Sequence, residues 1–341
     1  VESELSYLSN YQRVIINSGK ISNKGWEISV SGVPVKVKNF EWKTIFNWSK
    51  NNSMVESLPE GIDKIQIGSG VYNVKSYAEV GKPYGAIYAK TFKRDAEGYI
   101  LCQLDGSPKE GQDYEYLGCV QADWRGGWNN VFRLGNFSFS VMFDFQKGGK
   151  FFSQTSIQSS VDGQSVKSLE GRDADFFSRK ILGESDEERY GFMRPQNANT
   201  PTANGQIYPD WGRPKGVVLP NCRYDEDVEG LAGQQVLGYC TPERYWMHYT
   251  SRDISRFIYD ASYVKLREIT VSYDLPKKWL RKTPFQTFRV AAVGRNIATL
   301  FANTPHGLDP QATSTTGNAQ GFERGFNLPS ATYGFDIKVS F

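Results

Sequence analysis

ATYGFDIKVSF, residues 331–341, sets Tyr333, Phe335, Ile337, Val339 and Phe341 on one side of an extended chain and Gly334, Asp336, Lys338 and Ser340 on the other. A period of two marks a strand with one apolar and one polar face. The same period runs through NFSFSVMFDFQ (136–146), where Phe137, Phe139, Val141, Phe143 and Phe145 alternate with Ser138, Ser140, Met142, Asp144 and Gln146. It recurs in FEWKTIFNW (40–48), where Phe40, Trp42, Phe46 and Trp48 share a face. Further strands fall at about 24–37, 125–134, 257–275 and 286–300, with register changes expected at Pro34 and near Tyr263 to Leu266. The pattern predicts an all-β chain of about seven strands.

Composition agrees. Of 341 residues, 39% are hydrophobic, 14% aromatic and 23% charged, too apolar for disorder and too polar for a helical membrane protein. No apolar run approaches the roughly 20 residues of a spanning helix, and VESELSYLSN is no signal peptide. Opening at Val1, the chain reads as mature, cleaved or truncated. A net charge of +3 gives no basic excess, so nucleic acid is not the expected partner. Cys102, Cys119, Cys222 and Cys240 form two pairs of similar spacing without a CxxC, which fits bridges Cys102–Cys119 and Cys222–Cys240, or free buried thiols.

Strands of a soluble sandwich are short, about 5–6 residues, whereas a bilayer-crossing strand needs about 9–11 with apolar side chains toward lipid. Several segments here have the longer dimension, and Trp26, Trp42, Trp124, Trp128 and Phe341 suit interfacial girdles. Core aromatics of a β-sandwich are the alternative. Connections alternate between short (near 37–39, 134–136 and 274–284) and long (about 57–123, 154–256 and 301–330). Outer-membrane barrels show that asymmetry, with tight periplasmic turns and large extracellular loops.

ASYVKLREITVSYDLPKKWL (261–280), FRVAAVGRNIATLF (288–301), GLDP (307–310) and the closing ATYGFDIKVSF together resemble the C-terminal end of SusC/RagA-type TonB-linked outer-membrane transporters. SGKISNKGWEISVSGVPVKVKNFEWKTIFNWSKN (18–51), VGKPYGAIYAKTFKRDAEGYI (80–100) and YLGCVQADWRGGWNNVFRLGNFSFSVMFDFQKGG (116–149) follow the family in the same order. The resemblance implies a 22-stranded transmembrane antiparallel β-barrel around a plug in a Gram-negative outer membrane. Such a barrel imports oligosaccharides or peptides under a SusD-like surface lipoprotein and draws energy from the TonB complex. Nothing here matches a TonB box or plug, so residues 1–341 are expected to be about seven C-terminal strands of a partial barrel. An open sheet in lipid leaves edge N–H and C=O groups unpaired, so both edges need the remaining N-terminal barrel portion. A soluble extracellular glycan-binding or glycan-processing β protein is the alternative.

Candidate sites follow. In the long segment 154–256, Tyr208, Trp211, Tyr224, Tyr239, Tyr245, Trp246 and Tyr249 would stack on sugar rings or meet a capping lipoprotein, or else pack the loop against itself. Asp225, Glu226, Asp227 and Glu229 form an acidic cluster suited to Ca²⁺ in residue type but not in spacing. On the polar strand faces, Glu41, Lys43, Asn47, Arg133, Asp144, Arg289, Arg295, Asp336 and Lys338 would face a lumen and plug. Tyr333, Phe335 and Phe341 look like an outer-membrane assembly signal. His248 and His306 lie far apart with no nucleophile elbow, Walker loop or HExxH motif, so no enzymatic activity, cofactor or metal is expected.

Overall fold

A computed structural model describes residues 2–4, 13–15, 19–104, 106–169, 217–240, 245–305, 307–311, 320–325 and 330–341. Its frame is a seven-stranded antiparallel sheet. We number its strands β1 (Lys20–Val37), β2 (Phe40–Ser57), β3 (Trp124–Leu134), β4 (Phe137–Lys147), β5 (Tyr263–Asp274), β6 (Thr287–Ala302) and β7 (Thr332–Ser340). They lie side by side in chain order as a meander, and among the described residues the sheet ends at β1 and β7.

Register joins the alternations into two continuous faces. Val30 opposes Phe46, Phe46 opposes Trp128, Trp128 opposes Phe143, and Phe143 opposes Leu266. Farther along, Val271 opposes Ala292 and Ala292 opposes Phe335, so one apolar face runs unbroken from β1 to β7. Among the described residues nothing covers that face: Trp26 is 74%, Ile337 63% and Phe335 86% exposed. Two polar side chains in its middle, Thr44 and Asn130, are bonded within the face. Trp42 Nε1 donates to Asn130 Oδ1 at 3.0 Å, and Trp128 Nε1 donates to Thr44 Oγ1 at 2.9 Å. Stacked rings fill the rest, and Gly126 carries no side chain because Phe145 lies over it; an added Cβ would sit 2.1 Å from that ring.

The expected bulge at Pro34 is present: register shifts between Gly32 and Val35, where a residue lacking an N–H costs the ladder nothing. Two further shifts fall on β5: one against β6 between Val264 and Lys265, inside the expected window, and one between Leu266 and Glu268 that leaves Arg267 as the extra residue. The expected strand 257–275 is two strands, because the Asp260 carboxylate accepts from Ser262 N–H at 2.9 Å and turns the chain between Ile258–Asp260 and β5. Trp128 is not at a girdle position; it lies at mid-height, below Trp124 on β3, and Trp42 lies near the short-turn end.

Antiparallel pairing places all three long connections at one end of the sheet. They are not structureless. Lys64–Ser69, Lys75–Glu79, Ala86–Ala89 and Glu115–Cys119 form a four-stranded sheet. Strand Val217–Tyr224 joins Gln235–Cys240 and, in parallel, Ile100–Cys102 from the preceding connection. Strand Lys150–Ser153 lies between Ile258–Asp260 and Phe322–Glu323 from the last connection. Helix α1 (Gln154–Val161) starts at Ser153, whose Oγ accepts from Ser156 N–H. The buried core sits here, in two clusters. One contains Phe92, Val217, Tyr245 and Trp246, and the other Ile87, Phe152, Ile157, Phe257 and Phe322. We call this assembly the cap. No described helix is long and apolar enough to cross a membrane.

Candidate functional site

The polar face of the sheet gathers the charged side chains. Toward the cap, β1 to β4 leave a hollow of about 600 Å³ lined by Glu27, Ser29, Asn47, Ser49, Arg125, Gly127 and Asp144. Ser29 Oγ donates to Asn47 Oδ1 at 2.7 Å and Arg125 Nε to Gln146 Oε1 at 2.9 Å, so neighbouring strands brace its wall.

Beside the hollow lies a network that alternation alone did not reveal. The bulge aims Arg267 along the wall, where its guanidinium bonds to Asp144 and donates to Asn296 Oδ1 and Gln311 Oε1, each at 2.7 Å. Lys265 Nζ lies 2.5 Å and 2.6 Å from the two Asp309 oxygens and donates to Gln311 Oε1 at 2.9 Å. Gln311 Nε2 donates to Tyr263 OH at 2.6 Å. The Lys265 and Asp309 side chains are each only 7% exposed, so this pair is withdrawn from water. It ties the GLDP segment after β6 down onto the polar face. GLDP was a sequence signal for this contact, whereas Lys265, Arg267 and Gln311 had none beyond their nearness to the expected register change.

The nine polar-face candidates share this face. Arg289 makes a two-point bond to Asp274, with Nε–Oδ1 2.6 Å and Nη2–Oδ2 2.8 Å. Arg295 Nε reaches Glu268 Oε2 at 2.9 Å, Arg133 opposes Glu41 in register, and Asp336 opposes Ala291. Lys338 opposes Arg289, a like-charge neighbour offset by Asp274 on the other side.

The aromatic candidates fall elsewhere. Tyr224, Tyr245, Trp246 and Tyr249 are buried in the cap core, where Arg256 lies over Trp246 and Arg252 over Tyr249. They pack the connection against itself and offer no ring to a ligand, a correction that follows from the apolar area the cap must bury. Burial pushes the Tyr224 hydroxyl up to about 12. Tyr208 and Trp211 lie outside the described residues, as do His306 and the side chain of Tyr239.

The acidic cluster is bound by lysines. Lys93 Nζ donates to Asp225 at 2.9 Å, and Lys109 Nζ bridges Asp225 at 2.8 Å and Asp227 at 2.5 Å. Burial raises the Asp225 carboxyl, but hydrogen bonds from Lys109 and Lys93 outweigh it and hold the group at about 2. Among the described residues no group of three or more potential ligands is placed to hold a metal ion.

Of the two readings of the cysteines, the structure does not form the bridges Cys102–Cys119 and Cys222–Cys240. Cys222 Sγ–H donates to Leu219 O at 3.2 Å and Cys222 opposes Val236, while Cys240 opposes Val217, so the ladder sets the two sulfurs apart. Cys119 Sγ lies 3.4 Å from Tyr84 O and accepts from Gln121 N–H, in a different sheet from Cys102. Burial pushes the Cys119 thiol up.

No family model matches the chain. It is 24% identical to TonB-dependent receptor P3 of Formosa agariphila over 94% of its own length and 28% of that protein's. It is 28% identical to TonB-dependent receptor P26 of the same organism over 40% of its length. Among solved structures, the RagAB peptide transporter superposes with a TM-score of 0.58 at 15% identity, covering 100% of this chain and 31% of that one. The 'closed-closed' state of the RagAB peptide importer gives a TM-score of 0.56 at 15% identity over 99% of this chain. The chain thus spans under a third of the length of both P3 and the RagAB chain.

Proposed function

We propose that this SusC/RagA-type TonB-dependent transporter fragment supplies seven strands and the outer cap of a 22-stranded barrel that imports oligosaccharides or peptides across a Gram-negative outer membrane. The observation carrying this reading is the continuous apolar face, exposed across all seven strands while the polar face holds the ion pairs. A water-soluble glycan-binding protein would turn those phenylalanines into its own interior. Its dimension also fits a membrane: the 11 residues of β3 rise about 34 Å, and at a barrel tilt of about 40° they span about 26 Å of bilayer. Edge groups of β1 and β7 then pair with strands from the rest of the barrel, since each unpaired backbone group in lipid costs several kcal/mol.

In this reading the polar face lines the lumen. Arg133, Asp144, Arg289, Arg295 and Asp336 stand toward the plug, and the Lys265–Asp309 anchor holds the last connection inward. The long connections face the exterior, where a SusD-like lipoprotein covers them, and TonB acts through the plug-bearing portion. Tyr333, Phe335 and Phe341 serve assembly, so deleting Phe341 lowers the amount of assembled barrel.

The test uses the whole transporter reconstituted in lipids brominated at different depths. Trp128, outward at mid-height, should be quenched most by deep bromines, and Trp128→Phe should remove that component. Fluorescence indifferent to bromine depth, or recovery of the protein without detergent, would sink the reading.

A further inference from the structure

The outward face carries a second pattern at its cap end. Trp26 opposes Lys50. Arg125 opposes Ser49, so the next position outward sets Trp124 against Lys50, and Trp124 in turn opposes Lys147. Four adjacent strands therefore present Trp, Lys, Trp, Lys in one row, on the apolar face and at one height. Immediately inward of the row the face is Ile28, Trp48 and Phe145; immediately beyond it are Lys24 and Asn52, opposed to each other. Lys24, Lys50 and Lys147 are exposed, and none has a carboxylate at salt-bridge distance among the described residues. Indoles settle at the boundary between hydrocarbon and headgroups, and a lysine beside them extends its ammonium into the phosphate layer.

We propose that Lys50 and Lys147, with Lys24 above them, bind the phosphates of an outer-leaflet phosphorylated glycolipid, lipopolysaccharide. This rests on the proposed barrel orientation, with the cap outside. Lys50 and Lys147 are two strands apart, about 10 Å, a separation suited to a headgroup bearing two phosphates. The height of the adjoining wall selects a glycolipid over a glycerophospholipid. β1 and β2 are each 18 residues long and continue past the row. The stretch Lys20–Gly25 rises about 20 Å farther, and on the outward side it presents Ser22, Lys24 and Asn52. A small glycerophosphate would leave that polar ribbon untouched, whereas a sugar-bearing headgroup lies along it.

The whole transporter, purified in mild detergent, is titrated with lipopolysaccharide, dephosphorylated lipopolysaccharide and phosphatidylglycerol, and bound lipid is counted by native mass spectrometry. The K24Q/K50Q/K147Q variant should bind lipopolysaccharide on the order of 100-fold more weakly, at roughly one factor of five per lysine. Wild type should bind the dephosphorylated form as weakly as the variant binds the native one. K38Q, at the opposite end of the sheet, should match wild type. Wild-type affinity in the triple variant overturns the proposal, as does phosphatidylglycerol binding as tightly as lipopolysaccharide. Heat-modifiable migration distinguishes the two levels of failure: an assembled barrel without the lipid preference removes this site alone, and no assembled barrel removes the transporter reading with it.

Discussion

Lys265 and Asp309 show how much a single pair can hold. Both are nearly dry, so truncating one leaves the other charged and uncompensated, which costs about 3–5 kcal/mol in a buried pair. In the proposed barrel, Lys265→Ala should therefore lower the temperature at which heat-modifiable migration is lost, and Lys265→Met with Asp309→Leu should restore most of it. Asp225 gives a pH-dependent counterpart in the cap. Its carboxyl is held at about 2 against an ordinary 3.8, so its stabilisation is complete above the unfolded value and is lost as pH falls through the folded one. Cap protection from protease should weaken as pH drops from about 4 toward 2, and Asp225→Asn should flatten that slope. If the two proteins lose protection in parallel, the lysine clamp contributes nothing.

At the scale of the strand, facing decides what a substitution costs. Val141 looks out near the centre of the apolar band and Ser140 looks the other way. On the proposed lipid-facing assignment, Val141→Lys should cost about 2–4 kcal/mol and deplete folded protein in membranes, while Ser140→Lys should assemble near wild-type levels. Equal depletion would mean the two faces are exchanged. This distinction was legible in the sequence because β4 and β7 alternate without interruption, and Pro34 marked its own bulge. The Lys265–Asp309 anchor was not, since it joins residues 44 apart in sequence and depends on a bulge that turns Arg267 out of period. The aromatic candidates misled for a related reason. Tyr245, Trp246 and Tyr249 carry the composition of a binding surface, but they sit in a connection long enough to need a core of its own. Periodicity reports which side of a strand is apolar; it says nothing about which side of an irregular segment faces water.

For the molecule as a whole, the described parts of the three long connections are joined to one another by shared strands. Glu323, from the last of them, accepts from Ser153 Oγ and Thr155 Oγ1, each at 2.6 Å, and from Thr155 N–H at 3.1 Å, holding the start of α1 in the preceding connection. Glu323→Ala should leave those groups short of partners at a cost of about 1–3 kcal/mol each where buried. Amide hydrogen exchange should then rise across Lys150–Val161 while β3 and β4 stay protected. Exchange confined to residues beside position 323 would show that the connections are independent. Because strand Phe322–Glu323 pairs with Lys150–Ser153, and Val217–Tyr224 pairs with Ile100–Cys102, the exterior of the molecule is braided from pieces that emerge at very different times during synthesis. The earlier hairpins close on a strand that only the final one supplies, which makes the last connection the clasp of that surface.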